Sequence, residues 1–289
     1  MSGAAASYPS PQALLRKYGL RAKRSWGQNF LGDEEILDHV ARLAAPRPGE
    51  RVVELGAGMG HLTARLLARG AEVIAVERDR DMARVLRGEL GDRVRILEAD
   101  AVKLDYAALA GPHPGASPGP AARVSVVGNL PYHLTSPILF SLLDQADHVS
   151  RFVFLLQREV AERLAAIPGT REFGLLSVLL QHRAEVRIER RVPPGAFLPA
   201  PAVESALLAG EMGPPRAEVA DPARFRRLVK AGFAQRRKTL GNALRAARLA
   251  PPERMSAALA AAGIDPRRRG ETLSVEEWAA LDRALGPAA

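Results

Sequence analysis

Between Glu50 and about Ala209 the chain alternates short apolar runs with stretches of helical periodicity, and this alternation restricts the fold more than any other feature. RVVELG (51–56), AEVIAVE (71–77), VRILEAD (94–100), VSVVGN (124–129) and FVFLLQ (152–157) have the length and apolar density of buried strands. HLTARLLARG (61–70) reads as a helix closed by Gly70, and the next helical segment carries Met82, Val85, Leu86 and Leu90 on one face. Ser136-Pro137 predicts a helix start, a cap followed by a first-turn proline, continued through SPILFSLLD. Strands and helices alternating in this way predict an α/β fold with a doubly wound parallel sheet.

The pattern changes after Gly210. EMGPPRAEVADP reads as a linker, and beyond it only helical signals remain: Asp221-Pro222 at a start, Gly263 at an end, and Ser274-x-x-Glu277 as a capping box. GPHPGASPGPAA (111–122) has the composition of a surface loop. Three regions are expected: a basic N-terminal arm over 1–30, an α/β domain over 31–210, and an α-helical domain over 211–289.

Charge follows the same division. The first 30 residues hold five cationic side chains (Arg16, Lys17, Arg21, Lys23, Arg24) and no acid, and residues 209–289 hold fifteen basic and nine acidic ones. The net charge of +9 therefore sits at the two ends, as suits a body held against a polyanion by its edges. Charge alone leaves a second reading open, because an Ala-, Pro- and Arg-rich composition can make any surface basic. The absence of cysteine excludes disulfides, thiolate metal sites and a cysteine nucleophile. The six histidines have no paired metal-ligand spacing, so no metal is expected. No apolar run approaches the ~18–20 residues of a membrane span, and the N-terminus has no signal-peptide pattern, so a soluble cytoplasmic protein is expected.

ELGAGMG (54–60) follows the first strand, and its glycines allow a tight turn and a close backbone approach to a ligand. Its G-x-G-x-G spacing differs from the G-x-G-x-x-G of dinucleotide sites, and no phosphate-binding P-loop is present. Glu77 ends the second strand, where a carboxylate can accept from both ribose hydroxyls. Asp100 ends the third, where an acceptor can read an adenine amino group. Backbone approach, ribose acceptor and base acceptor together fit an adenosine without a pyrophosphate. S-adenosyl-L-methionine fits better than NAD, since the turn carries no basic side chain. The alternative is that both acids merely finish their strands.

The fourth strand ends in Asn129-Leu130-Pro131-Tyr132. The 6-amino nitrogen of adenine is a poor nucleophile because its lone pair is delocalised into the ring. Acceptors for both amino hydrogens localise that pair toward a methyl donor. Asn129 offers a side-chain carbonyl and Leu130 a backbone one. Pro131 restricts Leu130 to extended backbone and fixes its own φ, and Tyr132 offers a face for a purine, worth ~1–3 kcal/mol. The amide is neutral, so catalysis here rests on orientation and electrostatics, with the target base out of its stack. The plainer reading is a strand-ending turn with Tyr132 in the core.

AKRSWGQNFL (22–31), VVELGAGMGHLT (52–63), VERD (76–79), the Asp100-Ala101 pair and NLPY together resemble the ribosomal RNA adenine dimethyltransferases. QREVAERL (157–164), REFGLLSVLLQ, PGAFLPAPAVES (194–205) and FAQRRKTLGNAL (233–244) extend the resemblance over roughly 15–285, nearer the bacterial small-subunit branch, the KsgA family, than the antibiotic-resistance branch. The resemblance implies a Rossmann-like methyltransferase sheet that binds S-adenosyl-L-methionine and releases S-adenosyl-L-homocysteine. It implies that GQNFL closes over the cofactor, with Asn29 and Leu31 lining the site beside Gly56 and Gly58. Glu77 would hold the ribose, Asp100 beside Ala101 the cofactor adenine, and Asn129 would lie where cofactor and target meet. Phe197 would flank the target base opposite Tyr132, although a buried core phenylalanine reads the same.

The implied reaction is dimethylation of two adjacent adenosines in the 3′-terminal hairpin loop of 16S rRNA, on an immature 30S subunit, by a monomer. Arg236, Arg237 and Lys238, with Arg245 and Arg248, are expected to form a basic helical face that contacts the RNA. The sequence departs from the family at Trp26, where a smaller aliphatic is usual, and in the longer 111–122 loop. Two other functions stay open: a resistance-type enzyme acting on 23S rRNA, and a ribosome-assembly factor that keeps the fold without turnover.

Overall fold

The computed structural model describes residues 8–23, 26–111, 123–235 and 237–286. Residues 1–7 of the arm, nearly all of the 111–122 loop, and Arg236 therefore lie outside the described residues. The chain divides into two compact units, one of residues 1–158 with 187–212, the other of residues 159–186 with 213–289. This differs from the expected regions in two places: the arm belongs to the first unit, and residues 159–186 belong to the second.

The first unit opens with α1 (Pro11–Tyr18), capped by Ser10 and closed by Gly19. It continues through β1 (Phe30–Leu31), α2 (Glu34–Ala44), β2 (Arg51–Leu55), α3 (His61–Ala68), β3 (Glu72–Val76), α4 (Arg80–Leu90), β4 (Arg95–Leu97), α5 (Tyr106–Ala110), β5 (Val124–Asn129), α6 (Thr135–Asp144) and β6 (Val149–Gln157). β7 (Ala184–Val192), β8 (Phe197–Leu198) and β9 (Ser205–Met212) complete its strands. Seven strands form one sheet in the order β4-β3-β2-β5-β6-β9-β7, and β1 pairs with β8 in a small ribbon. The neighbours from β4 to β6 run parallel, whereas β9 runs antiparallel to β6. The sheet is therefore mixed at one side rather than wholly parallel, and the stretch read as a linker after Gly210 begins as the end of β9.

Apolar faces hold the helices to the sheet. α2 buries Ile36, Leu37, Val40, Ala41 and Ala44, with Asp33 capping it by accepting from Ile36 N at 3.0 Å. α4 buries Met82, Val85, Leu86 and Leu90, the residues whose spacing predicted it. Each such Val, Leu or Ile side chain contributes about 1.5–3 kcal/mol of burial. α6 begins at Thr135, before the predicted cap at Ser136, because the Pro131 carbonyl accepts from Leu134 N at 2.9 Å and a 3-10 turn runs straight into the helix.

The second unit is helical: α7 (Arg158–Leu164), α8 (Leu175–Arg183), α9 (Pro222–Phe233), α10 (Leu240–Ala247), α11 (Pro252–Ala261) and α12 (Val275–Ala284). Its core is organised on Trp278, which is fully buried with the Phe233 ring centroid 5.9 Å away. Asp221 caps α9, and Ser274 with Glu277 forms the predicted capping box on α12. α9 ends at Phe233, and Lys238 N closes on Gln235 O at 2.9 Å. Arg237 and Lys238 therefore stand on an exposed turn between α9 and α10, not on a continuous helical face. Among the described residues, no helix is long and apolar enough to cross a membrane.

Candidate active site

From β2 the chain builds outward to β4, then returns to lay β5 on the other flank of β2. Such a switch point opens a crevice at the carboxyl ends of the two strands, where open α/β sheets bind ligands. The register sets Glu54 opposite Val127, which brings the glycine loop and Asn129 to adjoining strand ends. A Cβ on Gly128 would lie 2.6 Å from the Leu55 carbonyl oxygen, so glycine is what lets the strands run this close before Asn129. At Gly60 the chain turns with φ 87° to start α3, and a Cβ there would meet the Tyr8 hydroxyl at 2.8 Å.

A cavity of about 430 Å³ occupies the crevice. Its walls include Asn29, Leu31, Gly56, Gly58, Glu77, Asp100, Ala101, Asn129, Leu130, Pro131, Tyr132 and Phe197. All twelve expected cofactor, reaction and base-stacking positions thus meet in one place, while Arg237 and Lys238 belong to the second unit.

Three carboxylates line the cavity. Glu77, directly after β3, is buried; its Oε2 accepts from Gly58 N and its Oε1 from Asp79 N, both at 2.8 Å. Burial pushes its pKa up, and the two amides offset part of that. Asp100 stands three residues beyond the end of β4, because that strand stops at Leu97, and its Oδ1 accepts from Val102 N at 3.0 Å to cap a 3-10 turn. Glu54 was not singled out by the sequence reading. It is buried, accepts from Thr63 Oγ1 at 2.6 Å, and is pushed up to about 8 by burial. The Thr63 hydroxyl opposes that rise and the nearby Glu77 charge adds to it. A lone acid inside an apolar strand was the available signal. His61 also lines the cavity, yet burial pulls it down to about 4 and its Nε2–H donates to the Pro9 carbonyl at 3.0 Å. It packs as a neutral ring, not as a base.

The reaction end is built from β5 and the segment before β1. Asn129 Nδ2 donates to the Asn29 carbonyl at 2.7 Å. A carbonyl can only accept, so the amide orientation is settled and Oδ1 points away from Asn29. Leu130 N donates to Leu155 O at 3.2 Å, which ties the turn to β6. The half-buried Tyr132 has its hydroxyl 3.3 Å from Ser205 Oγ. Phe197 is buried on β8 and pairs in register with Leu31 of β1.

The segment read as a basic arm is fastened beside the cavity. Lys23 Nζ donates to Asp79 Oδ1 and Asp81 Oδ2, each at 2.8 Å, and Gln28 Nε2 donates to Asp79 Oδ2 at 2.8 Å. Burial opposes ionisation of Asp79, but these donors outweigh it and hold its pKa down. Asp79 N in turn donates to Glu77, so the segment, the strand-end carboxylate and the glycine loop form one hydrogen-bonded chain.

Fold and crevice define the class as a Rossmann-like α/β methyltransferase. The solved 23S rRNA methyltransferase ErmE superposes with a TM-score of 0.65 at 26% identity, covering 90% of this chain and all of that one. A dimethyladenosine transferase from Plasmodium falciparum superposes with a TM-score of 0.68 at 21% identity, over 87% of this chain and 95% of that one. The profile described as Ribosomal RNA adenine dimethylase matches residues 19–285, and the chain belongs to that family. A ribosomal RNA small subunit methyltransferase A from Anaeromyxobacter dehalogenans (strain 2CP-C) is 72% identical over 280 residues, 96% of this chain and 99% of that protein.

Proposed function

We propose that this enzyme uses S-adenosyl-L-methionine to dimethylate the 6-amino groups of two adjacent adenosines in the 3′-terminal hairpin loop of 16S rRNA, on the assembling 30S subunit. The observation that carries the chemistry is the Asn129 amide, whose Nδ2 is committed to the Asn29 carbonyl and whose Oδ1 is left as an acceptor at the cavity. The small-subunit target is supported by 72% identity to a small-subunit enzyme, against 26% to a 23S one.

The walls suit this cofactor. Glu54, Glu77 and Asp100 offer acceptors for hydroxyl and amino hydrogens, and the loop from Glu54 to Gly60 holds no basic side chain for a pyrophosphate. Glu77 would hold the ribose, Asp100 beside Ala101 the adenine, and Gly56 and Gly58 would let the backbone approach, with Asn29 and Leu31 closing the front. When bound, S-adenosyl-L-methionine supplies an electrophilic methyl group on a sulfonium and yields S-adenosyl-L-homocysteine.

The chain's own part is positioning. Asn129 Oδ1 and the Leu130 carbonyl accept the two amino hydrogens of the target adenine and turn its lone pair toward the methyl group. Tyr132 and Phe197 hold the base between them. Neither acceptor is basic enough to keep a proton, so the methylated, cationic amine releases its proton to water. Arg236, Arg237 and Lys238 contact rRNA through the phosphates, and the enzyme acts as a monomer in the cytoplasm.

Mapping methyl groups after incubation with labelled cofactor and particles lacking the modification tests the assignment. Dimethyladenosine at both positions of the 16S hairpin is the expected result. Label on 23S rRNA, or tight particle binding without label, would replace the reading with one of its alternatives.

A further inference from the structure

Trp26 is 45% exposed and stands at the rim of the cavity it helps to line, beside buried aromatic walls such as Phe30 and Phe197. Described residues on either side of it are held by hydrogen bonds. Lys23 N donates to Gln28 Oε1 at 2.9 Å, and both side chains are tied to Asp79. Trp26 N donates to the Lys23 carbonyl at 2.9 Å. The next residue, Gly27, lies against Pro131 of the reaction turn, close enough that a Cβ on it would be 3.8 Å from Pro131 Cβ. The backbone that carries the indole therefore lies next to the turn proposed to hold the target base.

Its charged neighbours point to a nucleic acid. Lys23 Nζ lies 5.4 Å and Arg78 Cζ 5.8 Å from the ring centroid. Lys23 is neutralised by Asp79 and Asp81. Arg78 is exposed and has no acidic partner among the described residues. A part-exposed indole with an unpaired guanidinium beside it offers what single-stranded RNA uses, a ring for a base and a cation for a phosphate.

We propose that Trp26 is a stacking platform for a nucleotide flanking the target adenosine, with Arg78 on the phosphate of the same strand. The proposal rests on rRNA being the substrate. It adds a second base site beside the catalytic one, so that the strand is gripped next to the flipped adenosine as well as at it. A fixed ring costs little ordering on binding, which favours the stack over a mobile side chain.

Steady-state methylation of immature 30S particles tests this with Trp26→Ala and Trp26→Phe, alongside calorimetric titration with S-adenosyl-L-homocysteine. The exposed site makes both variants foldable, and thermal melts followed by circular dichroism check the fold of both units. Trp26→Ala should raise the particle KM by about 5- to 150-fold, the range a base–aromatic stack spans, with kcat and homocysteine-product affinity near wild type. Trp26→Phe should recover most of the loss. An unchanged particle KM in Trp26→Ala, with wild-type enzyme active, would overturn the proposal. So would a loss of product affinity equal to the loss in KM, which would make the ring part of the cofactor closure. If the wild-type enzyme fails to methylate the particle, the substrate assignment fails first, and that result is distinct from either.

Discussion

Asn129→Asp separates two jobs that Asn129 performs at once. In the native protein Nδ2 donates to the Asn29 carbonyl at 2.7 Å while Oδ1 is free to accept from the target amine. An ionised aspartate keeps an acceptor for the amine but sets two acceptors face to face at Asn29. The hydrogen bond lost is worth about 1 kcal/mol, and leaving the part-buried carbonyl unpaired costs about 1–3 kcal/mol more. A total of roughly 2–4 kcal/mol corresponds to about 30- to 1000-fold against the arrangement that holds Asn29 to Leu31 over the cavity. Protonated aspartate can donate to Asn29 again, and the adjacent carbonyl favours that form. Product affinity in Asn129→Asp should therefore fall by at least about 30-fold near pH 8 and recover in part near pH 6. Asn129→Ala has nothing to protonate and should be weak at both. Titration calorimetry with S-adenosyl-L-homocysteine across this range is the assay. Equal affinity for wild type and Asn129→Asp at the higher pH, or parallel losses in both variants at both, would refute the coupling of Asn29 to Asn129.

Other perturbations test other parts. Glu54 has a folded pKa of about 8 against an ordinary value of 4.5, so the stability its neutral form contributes is fully present below about 4.5 and lost as pH rises through 8. Glu54→Gln keeps an acceptor for Thr63 and removes the titration. Its cofactor-free melting point should exceed that of wild type by several degrees near pH 8.5 and match it near pH 5, and parallel curves would refute the buried charge. In the second unit, Arg224 donates to Asp282 Oδ1 at 2.7 Å, and Asp282 Oδ2 also accepts from Ala220 N at 2.7 Å, with both side chains buried. Asp282→Ala strands the guanidinium and should cost about 3–5 kcal/mol in denaturant unfolding, whereas a cost under about 1 kcal/mol would show that the pair is not holding α9 to α12. Neutralising Arg237 and Lys238 should weaken particle binding and reduce the slope of log affinity against log salt by about 2, and an unchanged slope would remove them from the RNA contact.

The strands that carry the site were legible because they are buried on both faces. RVVEL, EVIAV and VSVVGN are near-continuous apolar runs, and chemistry-bearing residues follow each of them. Asn129 and Glu77 could be placed at strand ends from that pattern alone, whereas Asp100 lies three residues past β4, a short strand with no buried residue. β7 was not legible: AEVRIERRV carries five charged residues and little apolar alternation. β9 is apolar, but no local signal sets its direction against β6. The fastening of the N-terminal segment was equally hidden. Asn29 meets Asn129 across 100 positions and Lys23 meets Asp79 across 56, and each residue by itself looks like ordinary surface polarity. The pKa of Glu54 depends on the walls around it, which no spacing reveals. The resemblance of GQNFL to its family supplied what periodicity could not.

The most direct test of the central claim is a single-turnover measurement of methyl transfer from labelled S-adenosyl-L-methionine to particles lacking the modification, comparing wild type with Asn129→Ala at saturating cofactor. The account predicts dimethyladenosine in the 16S hairpin from wild type and a rate at least about 100-fold lower from the variant, as the loss of an oriented acceptor implies. Equal rates, with both proteins saturated, would contradict the role of the strand-ending amide and move the methyl transfer to some other part of the cavity.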